Sequence, residues 1–221
     1  MTAGSRERLV RSAMQLFWLK GYGATSVAEV LQMAQVNSGS LYHFFPGKQD
    51  LLLAVLDEYE KGIEPMLLRP AWAGVDDPIE RVFALLACYR TAIVDTGCVY
   101  GCPIGSLALE IHEPDPAVRE KLASNFGAWI AAVETCLREA GSRLPPDLDR
   151  RELAEFGLTV MEGGVMQSRT FRSVDYFDRA FAQLRAYVDR LLREGKPIAA
   201  TPRPSRAKAP VPRKHKRQSA A

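Results

Sequence analysis

Between Asn37 and Lys48 the chain gathers side chains that hydrogen-bond well and several that take up little room: Ser38, Gly39, Ser40, Tyr42, His43 and Lys48. Hydroxyl, imidazole and ammonium groups at helical spacing suit contacts to phosphate oxygens and base edges. Small residues at the start of such a helix let it sink into the roughly 12 Å wide major groove of DNA. A second set is the glycine-rich run Gly97-Cys98-Val99-Tyr100-Gly101-Cys102-Pro103-Ile104-Gly105, with His112 beyond it. Cys98, Cys102 and His112 are ligand types, but no fourth stands at a recognisable spacing, so no metal and no other cofactor is expected. Cys102 also reads as a small buried thiol, and a reactive thiolate there would need a cation or a helix N-terminus to favour it. Cys102 as nucleophile with His112 as base is the enzymatic alternative. No orienting acid or oxyanion hole accompanies that pair, so no catalytic residue is assigned.

A polar face on so short a helix needs a scaffold. Ser26 and Glu29 have the spacing of a capping box, and Val27, Val30, Leu31 and Ala34 follow at the helical period. Gln35-Val36-Asn37 interrupts this helix; Val36 is an apolar plug, and Asn37 is a good N-cap for a second helix from Ser38 to Phe44 or Phe45. If the turn needs a positive φ, Gln35 occupies it under steric strain. The apolar partner for both is a helix from about Ser5 to Lys20, with Leu9, Ala13, Leu16 and Phe17 inward and Gly21 ending it. Together these make a helix-turn-helix plan.

The longer order, Gly21-Tyr22-x-x-Thr25 and then Gly39-Ser40-Leu41-Tyr42-x-x-Phe45-x-x-Lys48, resembles the TetR family of bacterial transcriptional regulators, most clearly over residues 5–60. Leu31 and Gln35 depart from it, since the family usually has a small Ala at the first and often a Gly at the second; the bulkier Leu implies a slightly wider helix crossing. The resemblance implies an all-α fold. Residues 1–47 form a three-helix DNA-binding head, and a fourth helix joins it to a larger helical effector-binding and dimerisation domain over residues 48–195. Tyr42 and Lys48 are implied to hold phosphates, Thr25 or Ser26 to add a contact at a helix N-terminus, and Ser38, Gly39, Ser40 and His43, beside Asn37, to meet the bases. The implied partners are double-stranded operator DNA with a palindromic site, a second copy of the chain, and an unknown small-molecule effector. Repression is implied, with release by that effector or by thiol modification. An effector-independent architectural DNA-binding protein is a further alternative.

At 221 residues, with 47% hydrophobic and 25% charged, the chain has room for such a head and one body with its own core. No apolar run approaches the roughly eighteen residues that span a bilayer, so no membrane partner is expected. The first residues lack the apolar core of an export signal, which predicts a cytoplasmic protein with four free thiols. The net charge of +3 is unevenly spread: residues 196–221 carry +8 and no acid, leaving −5 on the rest. That tail, rich in Pro, Ala, Lys and Arg, is expected to be disordered, either as a solubilising extension or as a modest addition to DNA affinity.

In the body, a helix from Lys48 to about Glu60 is followed by Pro65, Pro70, Gly74 and Pro78, which predict a connector. Helices are then expected over Ile79 to Asp95, Ser106 to His112, Pro116 to Ala140, Asp149 to Phe171 and Val174 to Glu194. Phe83, Tyr89, Trp129, Phe156, Met161 and Met166 have two readings, cavity lining or plain core. Because the resemblance implies a pocket, Phe83, Tyr89, Cys102, Trp129, Phe156 and Met161 are the candidate effector set. The last two helices match the family's dimer-forming pair, which implies an interface of Phe156, Val160, Gly164, Phe177, Phe181, Leu184 and Val188.

Overall fold

The computed structural model describes residues 4–111 and 115–195; His112 and the basic segment 196–221, with the readings attached to them, lie outside the described residues. All regular structure among the described residues is helical. The order is α1 (Ser5–Lys20), α2 (Val27–Ala34), α3 (Ser38–Phe44), α4 (Lys48–Gly62), a π-helical turn (Ile63–Leu68), α5 (Arg69–Trp72), α6 (Pro78–Asp95), α7 (Pro103–Glu110), α8 (Pro116–Glu139), α9 (Arg150–Phe171) and α10 (Asp175–Gly195). None of these helices is long and apolar enough to cross a membrane.

The capping residues act as their spacing predicts. Ser26 Oγ accepts the Glu29 N–H, and Glu29 accepts the Ser26 N–H at 2.8 Å, so two donors at the start of α2 are satisfied reciprocally. Asn37 Oδ1 accepts the Ser40 N–H at 2.8 Å and starts α3. Gln35 closes α2 with φ 53°, the left-handed conformation that a side chain tolerates poorly. Arg8 of α1 donates to the Ala34 carbonyl, giving the last turn of α2 both a hydrogen bond and a cation.

Two hydrophobic cores organise the chain. The first takes Leu9, Ala13 and Phe17 of α1, Val30 of α2, Leu41 and Phe45 at α3, and Leu51, Leu52, Val55 and Leu56 of α4, then continues into Ile104 and Leu107 of α7 and Val118 and Leu122 of α8. The second lies among α6, α8, α9 and α10. The crossing of α9 over α10 is close because Gly164 faces Phe177; a Cβ at Gly164 would stand 3.0 Å from that ring. A mid-helix glycine costs about 1 kcal/mol against alanine, and here the close approach offsets it.

Two boundaries differ from expectation. The stretch predicted as a connector around Pro65 is helical, since α4 runs into the π-helical turn and then α5. Proline lacks an N–H and clashes with the carbonyl four residues back in an α-helix, whereas the wider i→i+5 turn lets the chain pass it. The helix expected from Ser106 begins at Pro103, because proline at a first helical position gives up only an N–H that has no partner there. That earlier start makes Cys102 the N-cap of α7.

Candidate nucleic-acid interface and body cavity

Buried Leu41 and Phe45 fasten α3 to the head, which turns its other side outward. Asn37, Ser38, Gly39, Tyr42 and His43 are exposed there, Tyr42 by 58%, and Ser40 is half-buried. Ser26 is exposed too, its hydroxyl committed to the α2 cap. Thr25 is placed otherwise: it is 1% exposed, and its hydroxyl donates to the Gly21 carbonyl at 2.7 Å. That hydroxyl closes the α1–α2 turn, so of the expected pair only Ser26 has an exposed side chain. Lys48 is half-buried; its Nζ donates to the Tyr22 carbonyl and sits 4.3 Å from the centroid of that ring, and burial lowers its pKa. An ammonium has three donors, so this pin leaves others for a phosphate. Phe44, exposed beside His43 on the same face, went unremarked in the sequence because an aromatic next to Phe45 reads as core.

The head is bolted to the body through α7. Glu110, its last residue, accepts the Tyr22 N–H at 2.9 Å and the Gly23 N–H at 2.6 Å. Gly21 has φ 91°, which favours glycine, and a Cβ there would fall 2.8 Å from that carboxylate and push it off its two donors. At the other end of α7, the Trp18 indole donates to the Gly101 carbonyl at 2.9 Å, and its ring lies against Tyr100. Further along, Asn125 of α8 donates to the Leu56 carbonyl of α4, and Lys121 pairs with Asp57. No local pattern announces Glu110, whose partners stand 87 and 88 positions away.

A cavity of about 250 Å³ opens between α4, the π-helical turn, α6, the start of α7, α8 and α9, and Met14 of α1 reaches its wall. Tyr89, Cys102, Trp129 and Met161 line it as expected. Phe83 and Phe156 do not. Phe83 is buried on Phe181 with the Arg185 guanidinium over its ring. Phe156 is 46% exposed on the outer side of α9 beside Tyr187, and Met166 is exposed as well. A helical period marks which positions are apolar, not which of two apolar sides meets the cavity.

Tyr59, Asn125, Phe126 and Glu162 join the lining unforeseen. An acid inside Val160-Met161-Glu162-Gly163-Gly164 was the available signal for Glu162. Burial raises the pKa of Glu162, brings Tyr59 to about 12 and lifts Tyr89 well above the ordinary phenol value. Cys102 caps α7, yet burial and the neighbouring Glu162 carboxylate push its pKa far above the usual thiol range. The thiolate that a cysteine sensor requires is therefore disfavoured, in keeping with the alternative reading of a small buried thiol. Among the described residues no three His, Cys, Asp or Glu side chains are grouped to hold a metal ion.

The outer side of α9 and α10 forms a long groove that includes Phe156, Val160, Gly163, Ala180, Gln183 and Tyr187, with Gly164 and Leu184 at its floor. Phe177, Leu184 and Val188, expected to face a second copy, are buried in this chain's own core, and Phe181 packs on Phe83 of α6. Of the expected interface set, Phe156 and Val160 face outward in the groove.

Comparison with known proteins agrees with this layout. Residues 9–55 match the family model described as bacterial regulatory proteins, tetR family, and residues 78–183 match that of the transcriptional regulator LmrA/YxaF-like C-terminal domain. An uncharacterized HTH-type transcriptional regulator of Mycobacterium tuberculosis is 31% identical over 187 residues, spanning 82% of this chain and 93% of that protein. The HTH-type transcriptional repressor DhaR of Mycobacterium sp. is 27% identical over 180 residues, or 79% and 87% of the two chains. The crystal structure of the regulatory protein TetR from Rhodobacter sphaeroides superposes with a TM-score of 0.72 at 27% identity, covering 81% of this chain and 98% of that one.

Proposed function

The chain belongs to the TetR family of bacterial transcriptional regulators, and from that premise we propose that it is a homodimeric repressor that leaves a palindromic operator when a small molecule fills the body cavity. The observation that carries the reading is the placement of α3: Leu41 and Phe45 point inward while Ser38, Gly39, Tyr42 and His43 point out. Residues 1–47 read DNA, and residues 48–195 hold the effector and the second copy. Two such heads related by a twofold axis reach half-sites about 34 to 36 Å apart, one helical turn, in successive major grooves. Tyr42 and Lys48 hold phosphates, and the small residues at the start of α3 approach the bases. The partly apolar outer side of α9 and α10, with Phe156 and Val160 on it, suits a second copy of the chain. The repressor named among the relatives supports the sign of regulation, and the cytoplasm, where the chromosome lies, is the compartment.

The route from cavity to DNA follows from shared walls. Met14 of α1, the π-helical turn after α4 and the start of α7 all border the cavity, and α7 ends on the head at Glu110. A ligand that spreads these elements changes the spacing of the two α3 helices, and a coupling of about 1 to 3 kcal/mol is typical of such devices. The raised pKa of Cys102 favours a bound ligand over thiol modification as the releasing event. Fluorescence anisotropy on the DNA upstream of the gene tests the reading. Tyr42→Ala and Lys48→Ala should each weaken binding about tenfold, equivalent to about 1.4 kcal/mol, with the helical circular dichroism unchanged. Full affinity in both variants would end it.

A further inference from the structure

We propose that the body cavity takes an organic cation with an apolar frame, its positive charge set against Glu162 and the rings of Tyr59, Tyr89, Phe126 and Trp129. This deepens the effector reading and rests on it for its regulatory meaning, though binding itself is tested without DNA.

The charge of the lining comes first. Glu58 and Glu162 line the cavity, and among the described residues no Lys, Arg or His does. Glu58 is at least partly exposed and already paired with Lys61 at 3.0 Å. Glu162 is different. Its Oε1 is buried with no hydrogen-bond partner among the described residues. Its other oxygen lies against Gly105, where a Cβ would come within 2.1 Å, so α7 leaves room for the carboxylate by omitting a side chain. The Cys102 thiol is in hydrogen-bond reach but is a weak donor. Glu162 also lines the adjoining outer cleft, together with Lys20, Arg169 and Arg172; Lys20 is paired with Glu29, and Arg172 donates to the Cys98 carbonyl at 2.7 Å.

A carboxylate with an unmet oxygen in an apolar chamber is costly unless a cation or strong donor arrives. The surrounding rings present negative faces that attract a diffuse cation as well as its hydrocarbon. In the cavity an anionic ligand would meet two acids and, among the described lining residues, no base. Trp129, 3% exposed, makes no well-formed hydrogen bond at its indole N–H among the described residues, with the Tyr89 hydroxyl beside it, so a ligand oxygen could share that donor.

Titration of tryptophan fluorescence with three small probes tests this: benzyltrimethylammonium, its uncharged carbon isostere 2,2-dimethylpropylbenzene, and 3-phenylpropanoate. The expected result is that the ammonium binds at least about tenfold more tightly than the isostere, and that the carboxylate does not bind. Glu162→Gln should bring the ammonium down to the level of the isostere and leave the isostere unchanged. Equal affinities, no binding of the ammonium, or a preference that survives Glu162→Gln would each overturn the proposal. If that variant does not fold, the wild-type comparison of ammonium and isostere decides alone. If the ammonium binds with the stated preference yet leaves operator affinity untouched, the effector reading fails while the cation site stands.

Discussion

Replacing Glu110 by alanine removes the carboxylate that joins the end of α7 to the α1–α2 turn. Two backbone donors lose their acceptor, Tyr22 at 2.9 Å and Gly23 at 2.6 Å. A hydrogen bond to a charged group contributes about 1.5 to 3 kcal/mol when shielded. Glu110 is exposed, so water takes up much of the loss, and about 1 kcal/mol per bond, about 2 for the pair, is the reasonable magnitude. At about 1.4 kcal/mol per decade this makes opening of the turn about 25-fold more frequent. Amide hydrogen exchange followed by NMR reads it directly, with faster exchange at Tyr22 and Gly23. Glu110→Gln keeps one acceptor oxygen and should recover about half of the lost free energy. The ability of a bound ligand to lower operator affinity should shrink in Glu110→Ala, because the cavity then loses one of its links to the head. Wild-type exchange at both amides, or a glutamine variant no better than alanine, would refute the reasoning.

Three further outcomes follow from the same geometry. Gln35→Gly relieves a left-handed residue at φ 53°; after the entropy of glycine in the unfolded chain is subtracted, a gain of about 0.5 kcal/mol and a melting point higher by about 1 to 2 °C are expected, and a lower one would show that Gln35 makes compensating contacts. Phe156→Asp should yield a folded monomer in sedimentation velocity, whereas Leu184→Asp, at a core position, should lose more than about 3 kcal/mol of stability; a Phe156→Asp dimer would exclude the outer side of α9 as the interface. Glu29 has its pKa lowered from 4.5 to about 2 by hydrogen bonds from Lys20 and then Ser26. Because the folded value is the lower one, its stabilising contribution is present above about 4.5 and is lost as pH falls through about 2. A carboxyl NMR titration with a midpoint near 4.5 would contradict the Lys20 and Ser26 contacts to that carboxylate, the Lys20 one first.

The head was legible from sequence because its signals are local. Ser26 with Glu29, Asn37 before a small polar helix and the Leu9 to Phe17 stripe each act within a few residues, and each appears where the spacing put it. A hydroxyl beside a helix start, such as that of Thr25, looks the same in sequence whether it meets a phosphate or, as here, the Gly21 carbonyl. In the body, period alone separated apolar from polar positions but did not divide the apolar ones between core, cavity and outer groove, hence the misplaced Phe83, Phe156, Phe177 and Val188. Pro65 reads as a break under α-helical rules and is passed only by a geometry those rules leave out. Glu162 and Glu110 act across distances in sequence that no spacing rule spans.

The π-helical turn sets the rotational phase of α5, which follows it without a break. Each residue advances an α-helix by 100°, so a single deletion between Ile63 and Leu68 would swing α5 by over a quarter of a circle, unless the turn tightened to absorb it; the break at Ala73 and Gly74 uncouples α6 from that rotation. Met66 and Leu67, which border the cavity, would be the first side chains displaced. Chain length at that turn is thus expected to set chamber size alongside side-chain volume, and a library varying the length of the turn would show it as altered ligand choice with the sequence of α3 unchanged.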